Sequence, residues 1–206
     1  MTIKKKDLTY DLDEENRMAS VIKCVKHSKP FAIEIPKEVT FNGKTYTVIA
    51  IKDKAFRNCY NLKAITIPDS VTKIGVYAFD SCGLESATIP DSITSIGDGT
   101  FFFCNNLKNI TIPDSVTSIG EYAFGHCHSL KSVTIPDGVT EIGNYAFNDC
   151  YRLESVTISD SIMGIDGSWF DNCYKLTEII IPGTNKAFPL WVHLMESGYA
   201  DLVRQV

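Results

Sequence analysis

The sequence predicts an α/β solenoid, a coil of near-identical laps whose strands pile into one parallel β-sheet. Three observations carry this. Leucines recur at Leu62, Leu84, Leu107, Leu130, Leu153 and Leu176, at spacings of 22, 23, 23, 23 and 23 residues. A phenylalanine column runs Phe56, Phe79, Phe101, Phe124, Phe147, Phe170, and an isoleucine column runs Ile51, Ile74, Ile96, Ile119, Ile142, Ile165. Each copy also opens on an alternating L-x-x-I-x-I run closed by proline, the period of a strand and its terminator. One lap cannot bury its own apolar stripe, so it must stack on its neighbours, about 4.8 Å apart.

The elements follow in chain order. Leu8–Leu12 and Ala19–Val25 alternate around the polar Glu14-Glu15-Asn16 and read as a β-hairpin. Phe31-Ala32-Ile33-Glu34-Ile35-Pro36 is a first, degenerate strand, and Asn42-Gly43 marks a second hairpin inserted into the first lap. The regular copies then read L-x-x-I-x-I-P-D-S-V-T-x-I-G-x-x-A-F-x-x-C-x-x, with one residue deleted at Cys82-Gly83-Leu84. The Val and Ile of V-T-x-I turn inward again. Ala, Phe and Cys at i, i+1 and i+4 have the spacing of a short helical or 3₁₀ turn. At the far end Leu190, Trp191, Leu194, Met195, Tyr199, Leu202 and Val203 recur at helical spacing and predict one or two short helices over the last lap. The expected division is a hairpin cap at 1–30, laps at 31–183 and a helical cap at 184–206.

Composition narrows the function. The chain has 206 residues, 22% of them charged, a net charge of −5 and 44% hydrophobic residues. That suits an ordinary folded domain and argues against a disordered tail or a strongly basic nucleic-acid binder. No apolar run reaches the roughly 18 residues of a membrane-spanning helix, so no membrane insertion is expected. Met1 to Lys6 is basic, but Asp7 to Asn16 follows instead of an apolar run, so no export signal is expected in these residues. Residues 1–60 hold 12 basic and 8 acidic side chains, a balance of +4; residues 61–206 hold 8 and 17, a balance of −9.

At Ile112-Pro113-Asp114-Ser115-Val116-Thr117-Ser118-Ile119-Gly120-Glu121-Tyr122-Ala123-Phe124 the unit resembles the BspA-like leucine-rich repeat, over about residues 31 to 183. The usual asparagine of generic leucine-rich repeats is here Ser70, Ser92, Ser115, Gly138 or Ser161. The resemblance implies a right-handed leucine-rich-repeat solenoid with its sheet on the concave face and short helical turns on the convex one. It further implies a non-enzymatic binding or adhesion scaffold displayed on, or secreted from, a bacterial cell, and it supplies no catalytic residue or cofactor.

Chemistry-bearing residues mostly repeat with the lap. Cys59, Cys82, Cys104, Cys127, Cys150 and Cys173 share one position. Stacking brings them within disulfide range, yet their side chains point the same way, so a buried, reduced thiol column is expected. His126-Cys127-His128 suggests a metal, but a core cysteine sends the flanking histidines away from it and from each other, which predicts two solvated turn histidines. Asp69, Asp91, Asp114, Asp137 and Asp160 form an acidic column read as turn residues bonding their own backbone rather than calcium ligands. No G-x-S-x-G, H-E-x-x-H or phosphate loop occurs.

Binding should therefore sit where copies differ and face solvent. The strand's outward positions, among them Thr88, Thr111, Thr134 and Thr157, make a flat hydroxyl surface that reads equally as a ladder chosen for strand propensity. The turn after Ala-Phe is more individual, with Tyr60, Phe102, Phe103, His126, His128, Tyr151 and Tyr174 at positions expected to be exposed. These form a candidate contact strip, while Phe102 or Phe103 equally reads as tucking back to compensate the short lap and Gly99. The expected partner is a protein, with a glycan as the second class, bound by a monomer. The alternative is a structural or self-associating spacer in a larger surface assembly.

Overall fold

The computed structural model describes residues 1–159, 161–162, 168–181 and 198–205. β1 (Thr2–Lys5), β2 (Leu8–Asp13) and β3 (Met18–Cys24) form an antiparallel meander. The first hairpin thus gains an outer strand from the basic leader. β4 (Phe31–Glu34) opens the first lap, and β5 (Glu38–Phe41) and β6 (Lys44–Ile51) make the inserted hairpin. Asn42 and Gly43 turn it with φ of 50° and 70°, the left-handed region their small side chains tolerate.

Each later lap gives one longer and one two-residue strand: β7 (Leu62–Thr66) and β8 (Lys73–Ile74), β9 (Ser86–Thr88) and β10 (Ser95–Ile96), β11 (Asn109–Thr111) and β12 (Ser118–Ile119), β13 (Ser132–Ile135) and β14 (Glu141–Ile142). β15 (Ser155–Ile158), β16 (Glu178–Ile181) and β17 (Val203–Gln205) complete the series. The longer strands run parallel from β4 to β17, and like residues pair, as in Thr111 with Thr88 and Val133 with Val156. The short strands make a second parallel sheet that the meander extends, with β3 on β6 and β6 on β8.

Between the sheets the core is a set of columns. Phe56, Phe79, Phe101, Phe124, Phe147 and Phe170 are buried and stacked, with centroids 5.1–5.9 Å apart and interplanar angles of 5–24°. Beside them lies the thiol column. All seven cysteines are free and buried, and Cys82, Cys104, Cys127, Cys150 and Cys173 each donate S–H to the phenylalanine carbonyl of the preceding lap at 3.0–3.3 Å. Burial pushes the Cys104 thiol up to about 12 and those of Cys127 and Cys150 well above the ordinary value.

The expected helical turns are absent. Among the described residues the only helical element is one 3₁₀ turn, Ala200–Leu202. Five successive turns instead carry two left-handed residues four apart: Lys54 and Asn58, Tyr77 and Ser81, Gly99 and Phe103, Tyr122 and His126, Tyr145 and Asp149. A left-handed residue cannot propagate a right-handed helix. The amides freed this way bond across laps: Phe56 N–H reaches Ala78 O, Phe101 reaches Ala123 O and Phe124 reaches Ala146 O, each at 2.8 Å. The i, i+1, i+4 spacing therefore marks inward-facing positions of a turn knitted to its neighbours, and the fold is an all-β solenoid in its described part.

Two further expectations change. Leu190 to Met195 of the expected C-terminal helices lie outside the described residues, whereas Val203 stands in β17 and extends the sheet. The aspartate after proline is also not what closes its turn. Backbone bonds such as Val71 N–H to Pro68 O do so, and the neighbouring serines link laps: Ser70, Ser92, Ser115 and Ser161 donate to Val48, Val71, Ile93 and Val139 carbonyls at 2.6–2.7 Å. Asp69, Asp91, Asp114 and Asp137 are exposed.

At the glycine of I-G, laps approach closely in some copies and not in others. A Cβ on Gly120 would lie 2.5 Å from Asp98 N and 2.7 Å from Gly97 C, both backbone atoms, whereas one on Gly97 meets nothing nearer than 3.6 Å. Gly120→Ala is thus expected to cost about 1–3 kcal/mol by overpacking, and Gly97→Ala to be neutral or stabilising by up to ~1 kcal/mol. Urea midpoints measure both. In native protein at pH 8, Cys104, Cys127 and Cys150 should resist a thiol reagent and react only on unfolding.

Candidate functional site

Stacking copies at one lap's distance brings like positions into contact, so any aromatic that recurs in a column must build a row. On the Ala-Phe-x-x-Cys edge two such rows form. The outer row runs Phe103, His126, His128, Tyr151, Tyr174. Phe103 stacks on His126 at 4.2 Å, His128 on Tyr151 at 4.5 Å and Tyr151 on Tyr174 at 5.9 Å, with planes within 17°. An edge contact of 5.8 Å between His126 and His128 joins its halves. The inner row, Tyr77, Phe102, Tyr122 and Tyr145, holds edge contacts of 6.1 and 5.5 Å and a stack of 5.0 Å.

Phe102 is the hinge between them. It touches Phe103 at 4.5 Å and His126 at 5.3 Å, and its ring covers Gly125, where a Cβ would come within 3.1 Å. Tyr77 leans into the place that Gly99 leaves free. The two open readings of the short lap therefore divide by residue: Phe102 is half-buried packing, and Phe103 is exposed.

Two of the rings are latched. Tyr60 OH donates to Asn58 Oδ1 at 3.1 Å and Tyr174 OH to Asn172 Oδ1 at 3.0 Å. The acceptors are residues two positions back, held left-handed at φ of 60–62°. The same twist reorients His126, which corrects the expectation of two diverging solvated histidines. Both rings are half-buried in the row, and His126 Nε2 lies 3.4 Å from Asp149 Oδ2. Burial, then the neighbouring His126, lowers the pKa of His128 below the ordinary 6.5.

The other expected residues lie elsewhere. Tyr60 is 64% exposed and has no ring contact among the described residues, because the next lap offers Gly83 at its position. Thr88, Thr111 and Thr134 are exposed on the first sheet and Thr157 is half-buried there, away from the rings. Tyr77, Tyr122 and Tyr145 were legible as a tyrosine column before Ala-Phe, or Phe102's neighbours, only by assuming lap-to-lap contact. No group of three His, Cys, Asp or Glu side chains able to hold a metal lies together among the described residues, and no helix there is long and apolar enough to cross a membrane.

A lowered histidine pKa means that the unfolded chain takes up the proton first as pH falls. His128 therefore contributes stability above about pH 6.5 that is lost on acidification. His128→Gln should flatten the urea midpoint between about pH 7 and 5, and the His128 ring resonances should titrate below those of an unfolded-chain histidine.

Comparison with known proteins bears on this geometry. A family model described as "BspA type Leucine rich repeat region" matches six copies over residues 35–114 and 99–190. A leucine-rich repeat protein from Bacteroides ovatus is 37% identical with a TM-score of 0.80, over 87% of this chain and 49% of its own. This chain thus spans about half the length of that relative. The T. pallidum leucine-rich repeat protein is 28% identical with a TM-score of 0.77, over 97% of this chain and 96% of its own. A leucine-rich cell surface protein from Faecalibacterium prausnitzii is 25% identical with a TM-score of 0.50, over 88% and 70%. No curated protein matches the sequence.

Proposed function

Because this chain belongs to the BspA-type leucine-rich repeat family, we propose that it is a non-enzymatic scaffold that binds a protein partner through its aromatic edge. The observation that carries the reading is the outer ring row, continuous from Phe103 to Tyr174, whose last ring is held by its own hydroxyl. Aromatic side chains dominate protein interfaces, and rings already held in place lose little rotamer freedom on binding. Tyr151 and Tyr174 are 39% and 78% exposed, so they offer area without unfolding anything.

The stacking favours protein over glycan. Sugars pack on ring faces, and here Tyr151 has both faces spent on His128 and Tyr174, while Phe103 and His126 cover a face of each other. What the row presents is ring edges, which carry partial positive charge and pair with carbonyl oxygens and with the faces of other aromatics. The relative named a cell surface protein supports display to an extracellular partner.

A variant carrying Phe103→Ser, Tyr151→Ser and Tyr174→Ser tests this, leaving the packing residue Phe102 intact. Quantitative affinity capture from cell-surface extracts should lose its enriched proteins by at least about tenfold, with circular dichroism and urea midpoint near wild type. Equal capture by both forms, or binding to a glycan array that the triple variant retains, rejects the edge as a protein site.

A further inference from the structure

The outer row is linked at its middle by two histidines. Phe103 stacks on His126, His128 stacks on Tyr151, and an edge contact of 5.8 Å between the two imidazoles joins the halves. Phenylalanine carries no charge and tyrosine none below about pH 10, so mild acid changes the charge of the row's rings at these two positions alone.

One carboxylate serves both rings. Asp149 Oδ2 lies 3.4 Å from His126 Nε2 and already accepts from Asn148 Nδ2 at 2.7 Å, while Oδ1 accepts from Asn172 Nδ2 at 3.0 Å. His128 Nε2 is buried and has no hydrogen-bond partner among the described residues. From its own turn His128 faces His126, and from the next lap Asp149 and the Tyr151 ring; the preceding lap places the uncharged Asn105 at its position. A proton on His126 is therefore met by Asp149. A second proton, on His128, finds a like charge beside it and no acceptor at Nε2, and a buried cation without a partner costs far more than a neutral ring. The lowered pKa of His128 agrees in sign, since burial and then His126 both favour its neutral form.

We propose that the His126–His128 pair is an acid-sensitive joint: the second proton drives His128 out of the row, parts Phe103–His126 from Tyr151–Tyr174, and frees a protein bound across them. Swinging out gives the cation to water at the expense of its stack on Tyr151. The parting needs no partner, whereas the release rests on the reading of the row as a binding edge. A histidine in water titrates near 6.5, so by about pH 5 protonation raises the ratio of parted to closed row by at most about thirtyfold.

Nuclear magnetic resonance on the full chain, with no partner present, tests the joint. The Tyr151 ring protons, shifted by rings stacked on both faces, should move toward unstacked values between about pH 8 and 5, at the midpoint of the His128 ring, while the strand amides hold their positions. His128→Phe, a ring that takes no proton, should keep Tyr151 still. A Tyr151 that stays put, that moves as far in His128→Phe, or that moves only as the strand signals collapse overturns the proposal. Release is read on the cell-surface proteins that wild type captures near neutral pH and the Phe103, Tyr151, Tyr174 serine variant does not. Of what each form holds there, wild type should shed at least about tenfold more than His128→Phe on transfer to about pH 5. Equal shedding overturns the release. A serine variant that captures as wild type does overturns the binding edge and the release with it, but not the joint.

Discussion

One constraint governs this molecule: a lap satisfies neither its backbone nor its apolar stripe until another lap lies on it. The phenylalanine amides bond forward to the next alanine carbonyl, and the cysteine thiols bond back to the preceding phenylalanine carbonyl. Serine hydroxyls do the same on the turn after proline. Each of these bonds is modest alone, about 1 kcal/mol net, but an unpaired buried group costs more than a bond contributes. Losing one lap therefore strands groups on two others, and stability resides in the interfaces rather than in any one copy.

The same spacing explains why chemistry here is columnar. With strands about 4.8 Å apart, a residue's nearest foreign neighbour is its own counterpart one lap away. For phenylalanine this makes a buried stack. For tyrosine and histidine at the solvent edge it makes a partly exposed one, with Asn172 at the left-handed position two residues back holding the Tyr174 hydroxyl. Core and edge row are thus one geometric rule applied to an inward and an outward position.

Irregularity concentrates in the short lap. Gly83 shortens the turn and leaves Tyr60 without a ring partner; Gly99 makes room for Tyr77; Gly125 makes room for Phe102. Three missing side chains and one extra ring compensate one another, so the break in pattern reads as repacking, and the exposed surplus is Phe103. The exchange of Asp80 with Arg57 at 2.7 Å, its carboxylate 5% exposed, closes the same position one and two laps earlier with an ion pair.

The columns, the two hairpins, the strand register and the buried thiols could all be read from spacing, because in a stacked repeat sequence period and spatial neighbourhood coincide. The individual aromatics could be named for the same reason. Helical character could not. Ala, Phe and Cys at i, i+1 and i+4 face inward in a helical turn and equally in a turn broken by two left-handed residues, and only the position of the next lap's carbonyls selects the second. Nor could the sequence tell Phe102 from Phe103, since which ring tucks in depends on the room over Gly125, a residue 23 positions away. Periodicity determines who the neighbours are; the packing of neighbour on neighbour decides which way each side chain turns.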